Sequence, residues 1–377
     1  GLAFTHQDDG TTTLSGPLAD QAALHGVLNR MRDLNVPIVS VQRVAAEAAI
    51  PATMHAIVQD KYGSADVLQL REIDTPTIGD DDVLVRVRAA SVHLGDVHIM
   101  TGTPTLMRYI GFGLHGPKAR VRGTDVAGTV AAVGKNVTQF QVGDDVFGTC
   151  DGAYAEYARA RVDRLVLKPA NITFEQASAV ATSAVVARQA VRKHGNVQPG
   201  QKVLIVGASG GVGLFAVQIA RALGAEVTGV GSTAKLSLMQ SAGAEHVIDY
   251  TREDFTQNGQ RYDVIVDIGG IRSLSQLRRS LTPKGTLVLV GGEGGNGLLG
   301  GALVRNLRAT LLAPFVSQRL RSMLGLVNLP DLQSVQDMIA AGKITPIVDR
   351  TYPLAEAPAA VRTLHAGRAH GKQVITI

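Results

Sequence analysis

The 377-residue chain contains no tryptophan and a single cysteine, Cys150. One cysteine excludes an intramolecular disulfide and any multi-cysteine zinc site, and it fits a reducing compartment. No apolar run approaches the ~20 residues of a membrane span. No basic-then-apolar signal segment opens the chain, which starts at Gly1 rather than Met, as a processed or trimmed start would. A cytoplasmic protein without a membrane partner is therefore expected. Basic residues outnumber acidic ones by 37 to 32, a net charge of +5, but they are scattered and form no run. Nucleic acid is not an expected partner on that pattern. Seven Tyr and eight Phe are too few and too dispersed for a base-stacking platform. No internal repeat or low-complexity tract is visible. What remains is an ordinary globular composition, 45% hydrophobic and 18% charged, in a chain long enough for two domains.

The most informative stretch is Val203-Leu204-Ile205-Val206-Gly207-Ala208-Ser209-Gly210-Gly211-Val212-Gly213. A short apolar strand enters a glycine-rich turn. An amphipathic run follows from Leu214 to Leu223, with Ala216, Val217, Ile219, Ala220 and Leu223 on one face. Glycines at that turn let backbone amides approach a pyrophosphate at the helix N-terminus, so a dinucleotide is the expected ligand. Gly207, Ser209, Gly210, Gly211, Val212 and Gly213 are its expected contacts. The second strand narrows the choice of dinucleotide. Sites for NAD place an acid at that strand's C-terminal end to hold the ribose 2′-hydroxyl. Here that end reads Val230-Gly231-Ser232-Thr233-Ala234-Lys235, without an acid. Glu226 stands at the strand's start, where it points the wrong way. Gly231 is expected to leave space for a 2′-phosphate, Ser232 to donate a hydrogen bond and Lys235 to supply charge. NADPH is favoured over NADH, although an exposed helix lysine is the plainer reading of Lys235.

Three stretches differ in texture. In residues 1–44, Leu2–His6 and Thr11–Ser15 are expected to pair across the turn at Asp8-Asp9-Gly10. A helix through Leu24, Val27, Leu28, Met31 and Leu34 follows Pro17 and a cap at Asp20. A strand at Pro37–Val44 would complete a ββαβ unit, too small to be confidently stable alone. An alanine-rich link, Ala45 to Thr53, leads to the main body, for which Met54 offers a natural start. Short strands and glycine turns run to about Pro169, clearest at His55–Asp60, Val83–Ala89, Val126–Val133 and Asp145–Phe147. Helix and strand then alternate. The predicted strands are Lys202–Val206, Glu226–Val230, His246–Asp249, Val264–Asp267, Thr286–Val290 and Ala309–Leu312, which imply a parallel, doubly wound α/β sheet. A last strand is expected at Gln373–Ile377.

From Met54 to Ile377 the chain resembles the medium-chain dehydrogenase/reductase superfamily, and within it the zinc-independent quinone-reductase-like branch. The resemblance rests on Gly123-Thr124-Asp125-Val126-Ala127-Gly128, Gly143-Asp144-Asp145-Val146, Gly152-Ala153-Tyr154-Ala155-Glu156-Tyr157, Lys168-Pro169-Ala170-Asn171, the glycine turn and Gly371-Lys372. It implies a β-rich GroES-like catalytic domain interrupted by a Rossmann domain. The corresponding division is an appendage and linker at 1–50, the first catalytic part at 51–182, the Rossmann domain at 183–313 and the second catalytic part at 314–377. Zinc-dependent relatives carry a Cys ligand where this chain has His93, and a His-Glu pair where it has Thr124-Asp125. His93 could still bind zinc, but Thr124 is no replacement for the second ligand. Catalytic zinc needs three protein ligands, so no metal is expected. Relatives in the quinone-reductase branch show Asn, two residues, then Asp. Here Asp96 is kept and His93 replaces Asn. Where relatives carry a Thr near the nicotinamide this chain has Val186, with Thr182 one turn earlier as a substitute. The resemblance adds Thr182, Tyr250, Gly291 and Lys372 to the cofactor residues, although Lys372 also reads as a surface lysine.

The reaction implied is hydride transfer to a quinone or to the β-carbon of an α,β-unsaturated carbonyl, whose oxygen gains negative charge. The donors to inspect there are His93, His98 and Tyr109, with Asp96 orienting its neighbours. Each has a plainer reading: a satisfied structural imidazole, a loop-facing histidine and a tyrosine that packs its loop. Cys150 reads as an inert packed thiol. The substrate pocket is expected between loops at Thr101–Arg122 and Leu298–Leu329. Two alternatives stay open, a metal-requiring alcohol or aldehyde dehydrogenase and an NADPH-binding protein without turnover. Relatives of this branch pair through their Rossmann sheets, so a homodimer is expected. The N-terminal unit is left as a regulatory appendage, an interaction module or the product of a start upstream of Met54.

Overall fold

The computed structural model describes every residue except 1, 7–9, 17, 19, 42–49 and 292–299. It divides into two compact units, 1–51 and 52–377. In the first, β1 (Ala3–His6) and β2 (Thr12–Ser15) form an antiparallel ladder, and α1 (Gln21–Asp33) follows. The Asp20 carboxylate accepts from the Ala23 amide and caps the helix as expected. No residue of α1 is buried. Residues 37–41 carry no strand, which corrects the expected fourth element. The rest of that stretch, the turn residues Asp8 and Asp9, Pro17 and most of the alanine-rich link lie outside the described residues.

The second unit opens with a two-stranded ladder, β3 (Thr53–Val58) and β4 (Gln69–Asp74). Next come β5 (Asp82–Val92), α2 (Leu94–Thr101), β6 (Asp125–Val133), β7 (Asp145–Thr149), β8 (Tyr157–Arg161) and β9 (Leu165–Leu167). Two helices, α3 (Phe174–Ser178) and α4 (Ala181–Arg188), lead into the alternating part. That part contains β10 (Lys202–Val206), α5 (Gly211–Ala222), β11 (Glu226–Gly231), α6 (Leu236–Ser241), β12 (His246–Asp249), β13 (Tyr262–Asp267), α7 (Leu274–Arg279), β14 (Leu281–Leu289), α8 (Gly300–Leu312) and β15 (Arg319–Ser322). The chain then forms α9 (Leu329–Ala340), β16 (Val348–Pro353), α10 (Ala357–His365) and β17 (Lys372–Thr376).

The alternating part makes a six-stranded parallel sheet in the order β12-β11-β10-β13-β14-β15. It is a doubly wound Rossmann sheet, with its switch point between β10 and β13. Val203, Leu204 and Ile205 are fully buried because helices cover both faces. Val203 and Ile205 pack with Phe215, Ala216 and Ile219 of α5, whereas Leu204 and Val206 face the opposite layer. One strand was misplaced by the sequence reading. Ala309–Leu312 is the end of α8, and the sixth strand is Arg319–Ser322. The apolar residues there follow a helical period: Ala309 is buried while Leu303, Leu307 and Leu311 are exposed. The sheet consequently continues past residue 313.

The remaining strands form a second, mostly antiparallel sheet in the order β16-β17-β5-β6-β7-β9, with β8 also on β5. Strand β17 returns from the far side of the Rossmann insert to pair with β5, setting Gln373 against Val92. Strand β6 pairs with the other edge of β5 and sets Asp125 against Ser91. These two registers bring Lys372, His93 and the Thr124-Asp125 pair to one end of β5.

Candidate active site

The glycine turn is built to admit a ligand. Gly207 has φ +84°, a conformation that favours glycine. A Cβ at Gly213 would sit 2.2 Å from the Gly207 carbonyl oxygen, so the helix can approach the turn only without a side chain there. A Cβ at Gly210 would meet nothing nearer than that oxygen at 3.6 Å, which leaves its outer side free for a phosphate. Gly210 caps α5 in extended geometry, and the first-turn amides face the gap. These residues fit a dinucleotide. Asp267, fully buried at the end of β13 beside the turn, is ion-paired with Arg305 of α8 and accepts from the Gly270 amide at 3.2 Å. Gly291 lies just past β14, at the same C-terminal edge of the sheet.

The far end of β11 is more crowded than expected. A Cβ at Gly231 would meet the Met239 methyl at 2.8 Å and its sulfur at 2.9 Å, so the missing side chain there accommodates a core methionine. Lys235 Nζ donates to the Gly367 carbonyl at 3.2 Å, which ties it to the returning C-terminal part. Ser232 precedes the short turn that carries Lys235, and Tyr250 is about half exposed, its amide bonded to the Gly231 carbonyl. Glu226 stands at the opposite end of the strand, near Lys202 and His246. An acid does enter this region from the neighbouring strand, because the register sets Asp249 of β12 against Gly231. Hydrogen bonds from Thr233 and Thr251 hold the Asp249 carboxyl below its ordinary range.

Across from the glycine turn, the candidate site is assembled from buried polar groups. Asp125 is fully buried and accepts from the Thr182 hydroxyl at 2.5 Å and the Thr182 amide at 3.2 Å. Lys372 Nζ lies 3.8 Å from Asp125 and donates to the Ser183 hydroxyl at 3.2 Å. Its stem packs so close to Gly211 that a Cβ there would be 2.8 Å from the Lys372 Cδ. Lys372 is therefore no surface lysine. Burial lowers its pKa, and the nearby Asp125 and Asp96 oppose that shift. Val186, at the position where relatives carry Thr, instead packs against Gly325.

His93 caps α2, and its Nε2 lies 2.6 Å from the Thr124 hydroxyl and 3.6 Å from the Asp96 carboxylate. Asp96 Oδ2 accepts from the His93 amide and from the Tyr154 hydroxyl, each at 3.0 Å. Tyr154 is fully buried, and burial pushes its phenol well above the ordinary value, so it stays a donor. His93 and Asp96 are thus brought together as expected. His98 is exposed on α2, and Tyr109 is exposed in the helical turn after it. Burial raises the Cys150 thiol well above its usual value, as an inert packed thiol requires. The sequence reading did not single out Thr124, Asp125, Tyr154 or Ser183 for the site. The available signal was an acid, Asp125, at the start of an otherwise apolar buried strand. Among the described residues no group of three or more His, Cys, Asp or Glu is placed to hold a metal ion. One imidazole, one hydroxyl and a carboxylate already holding two donors fit zinc poorly.

Comparison with known proteins agrees with this fold. Residues 79–170 match the model of the alcohol dehydrogenase GroES-like domain, and residues 242–375 match that of the zinc-binding dehydrogenase. Residues 1–42 match a domain of unknown function (DUF8691). The chain is 30% identical over 372 residues to the mitochondrial NAD(P)H oxidoreductase RTN4IP1 of Mus musculus, spanning 91% of this chain and 94% of that one. It is 32% identical to the 2-methylene-furan-3-one reductase of Solanum lycopersicum, over 89% of this chain and 83% of that protein. The structure of the quinone oxidoreductase from Coxiella burnetii superposes with a TM-score of 0.75 at 27% identity, covering 86% of this chain and 99% of that one. Fold and turn together define an oxidoreductase that works with a nicotinamide cofactor. The chain belongs to the medium-chain dehydrogenase/reductase superfamily, in its quinone-oxidoreductase-like branch. Among the described residues no helix is long and apolar enough to cross a membrane.

Proposed function

We propose that the chain is an NADPH-dependent reductase of quinones or α,β-unsaturated carbonyls that works without zinc. The observation that supports this reading is the 2.6 Å contact between His93 and Thr124, an imidazole and a hydroxyl beside the end of β5, with Lys372 against the glycine turn nearby. When bound, the cofactor supplies the hydride. The open Gly210 side and the first-turn amides of α5 would hold its pyrophosphate, and Ser232, Lys235 and Tyr250 its adenosine end. Thr182, Gly291 and Lys372 would line its path towards the acceptor. The protein orients the partners, excludes water and stabilises the charge that grows on the acceptor oxygen. Ser232 and Lys235, with no acid on β11 beside them, favour NADPH, while Asp249 on β12 has its charge met by threonine hydroxyls and Arg252. The two printed names above that specify a substrate, a furanone reductase and a quinone oxidoreductase, support the acceptor class.

The test is NADPH oxidation against a panel of quinones and enones, with NADH in parallel and metal analysis of the purified protein. Turnover with NADPH and no stoichiometric metal is expected. Stoichiometric zinc would favour alcohol or aldehyde oxidation instead, and no turnover with any acceptor would favour a binding role. A homodimer is also proposed, and light scattering checks it.

A further inference from the structure

We infer that the Thr124 hydroxyl is the catalytic hydrogen-bond donor to the acceptor oxygen, and that His93 positions and polarises that hydroxyl. This rests on the reading above that the acceptor is a quinone or a conjugated carbonyl.

At 2.6 Å between His93 Nε2 and Thr124 Oγ1, one atom donates and the other accepts. The surroundings decide the direction. The same Nε2 faces the Asp96 carboxylate oxygen at 3.6 Å, and that oxygen already receives the His93 amide and the Tyr154 hydroxyl. A lone pair on Nε2 would be turned towards a carboxylate, whereas an N–H there is attracted to it. Nε2 therefore carries the proton and Thr124 Oγ1 accepts.

A hydroxyl that accepts from the ring still has its own proton to give. Among the described residues, Thr124 Oγ1 makes no hydrogen bond other than the one to His93. Its side chain is partly exposed, one residue before β6. Asp125, the next residue, binds Thr182 and faces Lys372, which packs on Gly211 of the cofactor turn. The spare proton is thus held at the catalytic end of β5, near the helix that would carry the cofactor. Accepting a short bond from the ring makes the hydroxyl a stronger donor. As the acceptor's β-carbon takes up hydride, the electron pair of its double bond moves towards oxygen and an enolate develops. Thr124 stabilises that charge and keeps its proton, and water supplies the proton that completes the ketone. The charged and titratable groups around the pair are Asp96 on α2, Tyr154 and Arg122 next to it, and Asp125 and Lys372 behind Thr124.

Three measurements on the full chain test this. Thr124→Val should lower kcat for enone reduction about a hundredfold, the usual effect of removing one such donor. Thr124→Ser should stay within about threefold of the parent, as a hydroxyl is all that is required. NADPH affinity by fluorescence titration should be unchanged in both. Independently of turnover, histidine nitrogen NMR on the parent protein, with the His93 signal assigned through His93→Asn, should show a proton on Nε2. A His93 protonated only on Nδ1 would overturn the inference, because Thr124 would then spend its proton on the ring. So would a Thr124→Val protein with a kcat within about threefold of the parent. If that variant melts early, Thr124→Ala and the NMR measurement decide. A parent protein without turnover on any quinone or enone would overturn the functional reading and this inference with it. An active parent with an indifferent Thr124→Val would overturn this inference alone.

Discussion

Around Gly207–Gly213 the site is shaped by side chains that are missing; around His93, Thr124 and Asp125 it is shaped by side chains that reach each other from distant parts of the chain. The first region is local and made of backbone. Its tolerance is set by ångströms of empty space, as the gap between 2.2 Å at Gly213 and 3.6 Å at Gly210 shows. The second depends on two strand registers, β5 with β6 and β5 with β17, and on buried charge that must be paired. A defect in the turn should act by steric conflict, and one in the polar cluster through an unpaired charge.

The sharpest way to break the comparison is Gly213→Val. Its side chain would enter the Gly207 and Ala208 backbone, so we expect loss of a cooperative thermal unfolding transition. Asp125→Ala should come next, destabilising by about 3–5 kcal/mol because it strands Lys372 as a buried cation. That deficit carries a pH signature. Burial depresses the Lys372 pKa in the folded state, so the cost of its charge is full below that depressed pKa and fades as pH rises towards 10.5. Urea unfolding of variant and parent from pH 7 upwards should show the gap closing, and a constant gap would contradict the ion-pair account. Gly210→Ala should leave the melting temperature intact and weaken NADPH binding about tenfold, or ~1.4 kcal/mol, which isothermal titration reads. Lys235→Met should weaken NADPH by about threefold to tenfold and leave NADH unchanged. The smallest effect should come from a chain shortened to begin at Ala52, with melting temperature and NADPH affinity preserved. All five buried apolar clusters found among the described residues lie within the second unit.

The same contrast explains what could be read from the residues alone. Strands Lys202–Val206 and His246–Asp249 occupy the predicted positions, and the turn between β10 and α5 falls where the glycines place it. Their signals are short-range: β-branched residues within each strand and, after the first, the glycines of the turn. Ala309–Leu312 was misread because four apolar residues do not distinguish a strand from the end of an amphipathic helix. The Thr124–His93 contact was out of reach, since it depends on which residue of β6 faces Ser91, and two irregularities in that ladder shift the count. Lys372 was legible as a family landmark but not as a buried cation. Nothing in Gly371-Lys372-Gln373 reveals that β17 will be laid against β5.

That last pairing bears on the order in which the molecule assembles. Val92 and Gln373 are neighbours in space although the whole Rossmann insert lies between them in sequence. Joining them across an unfolded intervening chain would carry a large loop-closure cost. Once the insert has folded on its own local βα contacts, the connection becomes a compact body rather than a long floppy loop. Folding of the inserted domain thus lowers the entropic barrier to completing the sheet around it. Slippage of β17 on β5 would in turn be a late misfolding event, one that leaves a sound Rossmann domain without its Lys372.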